Sequence, residues 1–278
     1  MKADLHNHSY YSDGVFSPTE VVRLADEADC NLFALTDHDT TDGLAEAQQM
    51  ADELSVNLVS GVEISALWRN MTIHIVGLGI DIHNDILQKG LNYNQRLREE
   101  RAEKIALGLR RAGITDALEK TQELSKTDMI TRTHFAQMLI REGYCKDMKS
   151  VFRRFLTGKK PGASRVEWRS FDEVVGWIHA AGGLAVIAHP FRYRMTQTKI
   201  KNMFLNFKEV LGDGVEVVTA TSTAEEITLS NRWAKEYKLL SSCGSDYHGW
   251  PNQRIQIGCL RDLPNHDNAI WRHLPCRT

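Results

Sequence analysis

The chain has 278 residues, 42% hydrophobic and 25% charged, with a formal net charge of −2. Such a length and balance fit a soluble globular protein built as one α/β barrel with an insertion. No apolar run reaches about 18 residues, which excludes a membrane-spanning helix, and no charged-then-apolar leader opens the chain. The five cysteines (Cys30, Cys145, Cys243, Cys259, Cys276) are scattered and lack CxxC spacing. They read as reduced thiols of a cytoplasmic protein, with neither a disulfide framework nor a structural zinc site.

In chain order, short apolar runs at 3–7, 32–36, 58–62, 72–77, 184–188, 214–219 and 239–242 read as buried strands, rich in Val, Ile and Leu as parallel strands are. Ser17-Pro18-Thr19-Glu20 is a capping box with proline at the first helical position, opening a helix toward Asp29. A second helix is expected over 43–54. The stretch 84–169 breaks the strand–helix rhythm with a long polar helix (87–112), another near 133–143 and a short one at 148–156. It ends in the loop chemistry of Gly158-Lys159-Lys160-Pro161-Gly162. It carries 19 Lys+Arg against 11 Asp+Glu, leaving 15 against 25 elsewhere. Ser170 with Glu173 repeats the capping signal before a helix over 174–181, and further helices are expected at 200–211 and 224–237. Alternating strands and helices argue for parallel βα units. The division predicted is a barrel at 1–83 and 170–278, with a basic helical subdomain at 84–169 laid over the barrel mouth. An acidic body and a basic insertion suit an anionic substrate that meets both, although solvated helix faces account for the insertion's charge equally well.

Nine potential metal ligands stand mostly where these apolar runs end: His6, His8, Asp13, His38, Glu63, His74, His189, Asp246 and His248. The carboxyl ends of barrel strands are where such folds build active sites. Imidazole and carboxylate together hold Zn²⁺, Mn²⁺ or Fe²⁺. His6 and His8 are i and i+2, so both project to one face, and Asp246 with His248 repeats the pattern. Asp37 reads either as a ligand or as a partner fixing a ligating ring. His74 taken alone reads as a core histidine. His179, His83, His266 and His273 fall outside the pattern and read as structural or surface groups. Arg132 and His134 suit an anion clamp, and a solvated helix start fits them nearly as well.

Taken together, Asp4-Leu5-His6-Asn7-His8-Ser9, Thr36-Asp37-His38-Asp39, Gly61-Val62-Glu63, His74, Ala188-His189-Pro190 and Gly244-Ser245-Asp246-Tyr247-His248 resemble the motifs of the PHP family, the polymerase and histidinol phosphatase domains related to the amidohydrolases. Further segments, including Thr131-Arg132-Thr133-His134-Phe135-Ala136 and Val151-Phe152-Arg153-Arg154-Phe155-Leu156, are similar to one branch of that family. That branch contains bacterial 3′,5′-nucleotide bisphosphate phosphatases and 5′-to-3′ exoribonucleases acting on short RNA.

The resemblance implies a distorted (β/α)₇ barrel holding two or three divalent ions, manganese before zinc or iron. His6, His8, Glu63 and Asp246 would hold the first ion. Glu63, His74 and His189 would hold the second, and Asp13, His38 and His248 the third. It further implies attack on phosphorus by hydroxide shared between the ions. The catalytic residues would be His6, His8, Glu63, His189 and Asp246, with Arg98, Arg101, Arg132, His134 and Arg192 on the remaining anionic groups. Phe191 departs from the branch, which has glycine after His-Pro, and is expected to narrow the phosphate pocket. A nucleotide bisphosphate or an RNA 5′ end is the expected substrate; stable duplex DNA binding and membrane attachment are not expected, and a monomer or small homo-oligomer is. The competing readings are a histidinol-phosphatase-like phosphomonoesterase and a non-catalytic metal-binding regulator.

Overall fold

The computed structural model describes residues 1–54, 56–250 and 255–274; Cys276 lies outside them, and the other four cysteines are free thiols. Seven strands form one sheet in sequence order: β1 (Ala3–Asp4), β2 (Leu32–Leu35), β3 (Asn57–Trp68), β4 (Met71–Leu78), β5 (Leu184–Ile187), β6 (Gly214–Thr219) and β7 (Leu240–Gly244). The sheet curls until its edges meet. Leu5 donates its N–H to the Cys243 carbonyl at 3.1 Å, and Asn7 bridges to Tyr247 in parallel register. The result is a nearly closed α/β barrel.

The parallel expectation fails at β4, which runs antiparallel to both β3 and β5. The apolar run of β3 does not stop at Val62 but continues to Trp68. The chain then doubles back through Arg69 and Asn70, both at positive φ (45° and 66°). Two left-handed residues make a tight hairpin turn whose twist matches the strands it joins. The hairpin brings His74 opposite Ser65. Glu63, Ser65 and His74 therefore share one face, because side chains alternate along a strand.

Helices cover the outside. The Ser17 capping box opens α1 (Pro18–Glu27) as expected, and α1 packs with α2 (Leu44–Glu53) on β2 through Val21, Val22, Phe33 and Leu35. On the far side α7 (Phe171–Ala180), α8 (Gln197–Glu209) and α9 (Ala224–Tyr237) bury Val174, Ile178, Phe204 and Trp233 against the β3–β4 hairpin and β5–β6. Leu5, Ala34, Val76, Leu78, Val186 and Ile270 fill the barrel interior, each contributing roughly 1.5–3 kcal/mol in the larger cases by leaving water.

The long helix α3 (Asp85–Arg111) belongs to two cores. Leu87 and Leu91 pack on the barrel, while Ala102, Ile105 and Leu109 build a separate cluster with Phe135, Met138 and Val151. That cluster joins α3 to α5 (Arg132–Arg141) and to α6 (Met148–Val151), which continues as a π-helix over Phe152–Leu156. The short helix α4 (Ala117–Gln122) was not expected. Among the described residues, no helix is long and apolar enough to cross a membrane.

Candidate metal centre

The barrel's closing bridge also sets the site. His6 and His8 flank Asn7, and Asp246 and His248 flank Tyr247, so two i, i+2 pairs face each other across one bridged residue pair. Buried polar contacts hold these loops. Ser245 Oγ donates to Asn7 Oδ1 at 2.9 Å, and Asp4 accepts from the N–H groups of Ser245 and Gly258, both at 2.8 Å. At Gly244 a Cβ would lie 2.2 Å from that of His6, so only glycine permits the approach. Asp39, His189 and Asp246 have φ of 51°, 29° and 56°. Left-handed backbone at non-glycine residues costs on the order of 1–3 kcal/mol each and gathers at functional sites.

Four donor atoms converge first. His6 Nε2 and His8 Nε2 are 3.1 Å apart. Each lies 3.3 Å from Glu63 Oε2, and they lie 3.4 and 3.1 Å from Asp246 Oδ1. Donors about 2.0–2.2 Å from one tetrahedral ion are separated by edges of this length. The other oxygen of Glu63 faces a second set: Oε1 is 2.8 Å from His74 Nδ1 and 2.9 Å from His189 Nε2. Asp13, His38 and His248 gather on the far side of His8, with Asp13 Oδ1 3.3 Å from His248 Nε2 and 3.6 Å from His38 Nε2. His38 stands between the sets, its Nδ1 2.8 Å from Glu63 Oε2. Despite these short separations, the buried atoms Asp13 Oδ1, His38 Nδ1 and Glu63 Oε2 make no well-formed hydrogen bond among the described residues. Each belongs to a group of donor atoms close enough to share a cation. A fully buried carboxylate ringed by imidazoles fits a bound cation, and three groups are close enough to hold metal ions: His6, His8, Glu63 and Asp246; His8, Asp13, His38 and His248; and His38, Glu63 and His74, with His189 beside the last through Glu63.

Protonation follows the same logic. Burial pushes His38 down to about 3 against the pull of Glu63 and Asp13, and lowers His189 and His248 to about 4. Those rings are neutral at pH 7, as ligation requires. Burial should raise Glu63 and Asp13, yet the surrounding histidines hold both well below the usual carboxylate range. His6 differs. Burial opposes its charge, but the carboxylates of Glu216 and Glu63 prevail and raise the ring to about 10. A cation seated at its Nε2 must displace that proton, so affinity weakens as pH falls.

Glu216 escaped the sequence reading. It sits buried inside the apolar run of β6, where a single carboxylate was the only signal. Its Oε1 accepts from His6 Nδ1 at 2.6 Å, and its Oε2 accepts the His189 N–H at 2.6 Å. One carboxylate thus orients two candidate ligands. Glu216→Gln is expected to lower metal affinity roughly 10–100-fold, measured by competition with a chelator; unchanged affinity contradicts the orienting role. Asp37 is not part of the cage. It accepts from Ser9 N–H, Ser9 Oγ and Ser12 Oγ at 2.6–2.8 Å, and Ser12 Oγ reaches His8 Nδ1 at 3.4 Å.

Above the cage lies a cavity of about 520 Å³ between the barrel and helices α3, α5 and α6, walled in part by Arg101, Arg132, Met148, Phe152 and Trp250. The five expected substrate residues fare differently. Arg98 is tied down: its Nε donates to Asp39 Oδ2 at 2.7 Å and an NH₂ group to Ser65 Oγ at 2.9 Å. Arg98→Ala strips a buried carboxylate of its partner and is expected to destabilise the chain by about 3–5 kcal/mol, readable in denaturant unfolding; a loss under 1 kcal/mol contradicts this. Arg101 is buried over the Trp168 ring at 5.4 Å, with no carboxylate partner among the described residues. Arg132 lies 5.8 Å over the Phe152 ring, also without one. Burial and the neighbouring Arg98 push both guanidinium groups down. Arg192 pairs with Asp246 Oδ2. His134 does not wall the cavity; its Nδ1 accepts the Thr131 N–H at 3.2 Å and caps α5. Phe191 does not line this cavity; its ring stacks on Trp233 at 6.1 Å and faces a small neighbouring cavity with His189, Arg192 and Glu216.

Comparison with known proteins agrees with this geometry. A 3′,5′-nucleoside bisphosphate phosphatase from Chromobacterium violaceum is 42% identical over 99% of this chain and 96% of its own length. A 5′-3′ exoribonuclease from Haemophilus influenzae is 39% identical over 97% of this chain and 98% of its own. A solved amidohydrolase structure from C. violaceum, with bound sulfate and no metal, superposes with a TM-score of 0.93 at 41% identity, covering 99% and 96% of the two chains. The PHP domain profile matches residues 4–220, and the chain belongs to the PHP domain family.

Proposed function

We propose that the chain is a metal-dependent phosphoric ester hydrolase that removes phosphate from 3′,5′-nucleotide bisphosphates and releases mononucleotides from the 5′ ends of short RNA. One observation carries this reading: a cage of imidazoles and carboxylates lines the same cavity as the buried Arg101 and the half-buried Arg132, neither of which has a carboxylate partner among the described residues. A substrate with two separated phosphates fits that arrangement, one on the cage and one under Arg101 and Arg132. The relatives' names point the same way.

His6, His8, Glu63 and Asp246 would hold one ion, and Glu63, His74 and His189 a second. Asp13, His38 and His248 would hold a third. Manganese is the ion we favour over zinc or iron. When bound, such ions supply a water of lowered pKa and neutralise phosphoryl charge. The chain's own residues do the rest. Glu63 presents one oxygen to each of two donor sets, and Glu216 fixes the rings and backbone that face them. The planar forks of Arg101 and Arg132 pair with phosphate oxygens, and Arg192, which walls the same cavity, holds Asp246. Met148, Phe152 and Trp250 offer an apolar wall to the base. His134 shapes the helix start that presents Arg132.

We further propose that 84–169 folds as a unit inserted into a barrel of 1–83 and 170–278, a reading supported by its separate core. The free thiols suit a cytoplasmic enzyme. A monomer or small homo-oligomer without stable duplex DNA binding completes the proposal. Phosphate release from 3′-phosphoadenosine 5′-phosphate and from 5′-phosphorylated oligoribonucleotides tests it. A kcat/KM at least tenfold higher for histidinol phosphate would favour a small phosphomonoesterase instead.

A further inference from the structure

We propose that the basic stretch 146–160 is a track for the RNA strand lying 3′ of the nucleotide in the site. An acidic cavity that meets the site cavity at Arg98 turns the strand away from that direction. This rests on the site being a 5′-end phosphohydrolase, and goes beyond it to say how a longer substrate is held. Met148 and Phe152 wall the site cavity. Residues 146–160 carry six cations and one acid, Asp147. Lys146, Lys149, Arg153, Lys159 and Lys160 are exposed, and none forms an ion pair among the described residues. Asp147 is engaged in capping α6, accepting the Ser150 N–H at 2.7 Å. Arg154 turns back to the Tyr144 carbonyl at 2.8 Å.

The ridge is held in place rather than trailing. Thr157 Oγ1 donates to the Phe152 carbonyl at 2.7 Å, and the Gly162 N–H to the Phe155 carbonyl at 2.8 Å. Pro161 closes on α3 at Gly108, where a Cβ would lie 1.8 Å from the Pro161 oxygen. The π-helix at its centre is a rare form found frequently at functional sites. A groove or ridge of cations beside an aromatic wall is how single strands are held without reading their sequence.

The second cavity, about 730 Å³, meets the first at Arg98 and exposes Asp42, Glu99, Glu103 and Asp128. Arg98 is neutralised there by Asp39, and Lys126 lies 5.1 Å over the Tyr10 ring. That path repels a polyanion. The cationic ridge attracts one.

The test uses the full chain carrying Lys149→Ala, Arg153→Ala, Lys159→Ala and Lys160→Ala together. Binding of a 3′-labelled, 5′-phosphorylated hexaribonucleotide is followed by fluorescence anisotropy across salt concentrations, beside hydrolysis of 3′-phosphoadenosine 5′-phosphate. The track predicts binding weakened by about tenfold or more, and a salt slope shallower by about 0.7 per lost contact. Bisphosphate kcat and KM should be unchanged. Glu99→Gln with Asp128→Asn should leave binding equal or tighter. Undiminished binding by the fourfold variant overturns the track, as does an equal fall in bisphosphate hydrolysis. Absence of hexanucleotide binding by the unaltered chain also overturns it. Duplex DNA bound as tightly as the single strand overturns it in favour of an unselective polyanion surface. If the unaltered chain fails to cleave the bisphosphate while the ridge substitutions still abolish RNA binding, the substrate reading falls and the track stands.

Discussion

Glu63→Gln is expected to lower kcat/KM for phosphate release by about 10³-fold or more, with bound metal falling in parallel. Glu63 is fully buried, and its two oxygens lie within 3.3 Å of ring nitrogens from His6, His8, His38, His74 and His189. Glutamine keeps the shape but removes the negative charge shared between two donor sets, and turns an N–H₂ group toward atoms that must present lone pairs. Bound ions contribute several kcal/mol of transition-state stabilisation, and each 1.36 kcal/mol is tenfold in rate. The fold should survive, since the replacement has nearly the same volume and sits between Val62 and Ile64 of an intact β3. Steady-state kinetics with elemental analysis checks this; a loss below tenfold with metal retained contradicts the central place given to Glu63.

Arg132→Ala is expected to raise KM for 3′,5′-bisphosphates by roughly 10–100-fold, while KM for phenyl phosphate changes by less than about threefold. A charge-assisted hydrogen bond is worth about 1.5–3 kcal/mol, and phenyl phosphate has no second anion to place under the arginine. The substitution should not destabilise the free protein. Burial and then the charge of Arg98 disfavour the Arg132 cation, which has no carboxylate partner among the described residues, so its removal leaves no buried acid unpaired. An unchanged or higher Tm beside a raised KM distinguishes this arginine from Arg98, whose charge is bound to Asp39. Equal effects on both substrates would remove the clamp role.

Most of the cage was legible because strand geometry is simple. His6 and His8, and Asp246 and His248, are two residues apart, and a period of two puts each pair on one face. Seven strand positions were also legible as apolar runs. The hairpin was not, because Arg69-Asn70 lacks the glycine that usually marks such a turn, so Glu63 was taken to end its strand and β4 to run parallel. Glu216 was hidden by its isolation, since one carboxylate in a buried run announces a partner without naming it. The surroundings of the arginines were hidden for a related reason. Arg98 and Arg101 stand three apart on α3, and only tertiary structure reveals that Asp39 claims the first and Trp168 the second. His134 beside Arg132 suggested a clamp, whereas helix capping uses its ring.

The most direct test of the account is metal stoichiometry in the chelator-treated chain. Stripping should abolish phosphate release, and titration with Mn²⁺ should restore it as at least two ions per chain become bound. A chain that takes up no ion after saturation with manganese and zinc, or that hydrolyses 3′-phosphoadenosine 5′-phosphate at full rate while metal-free, would contradict it.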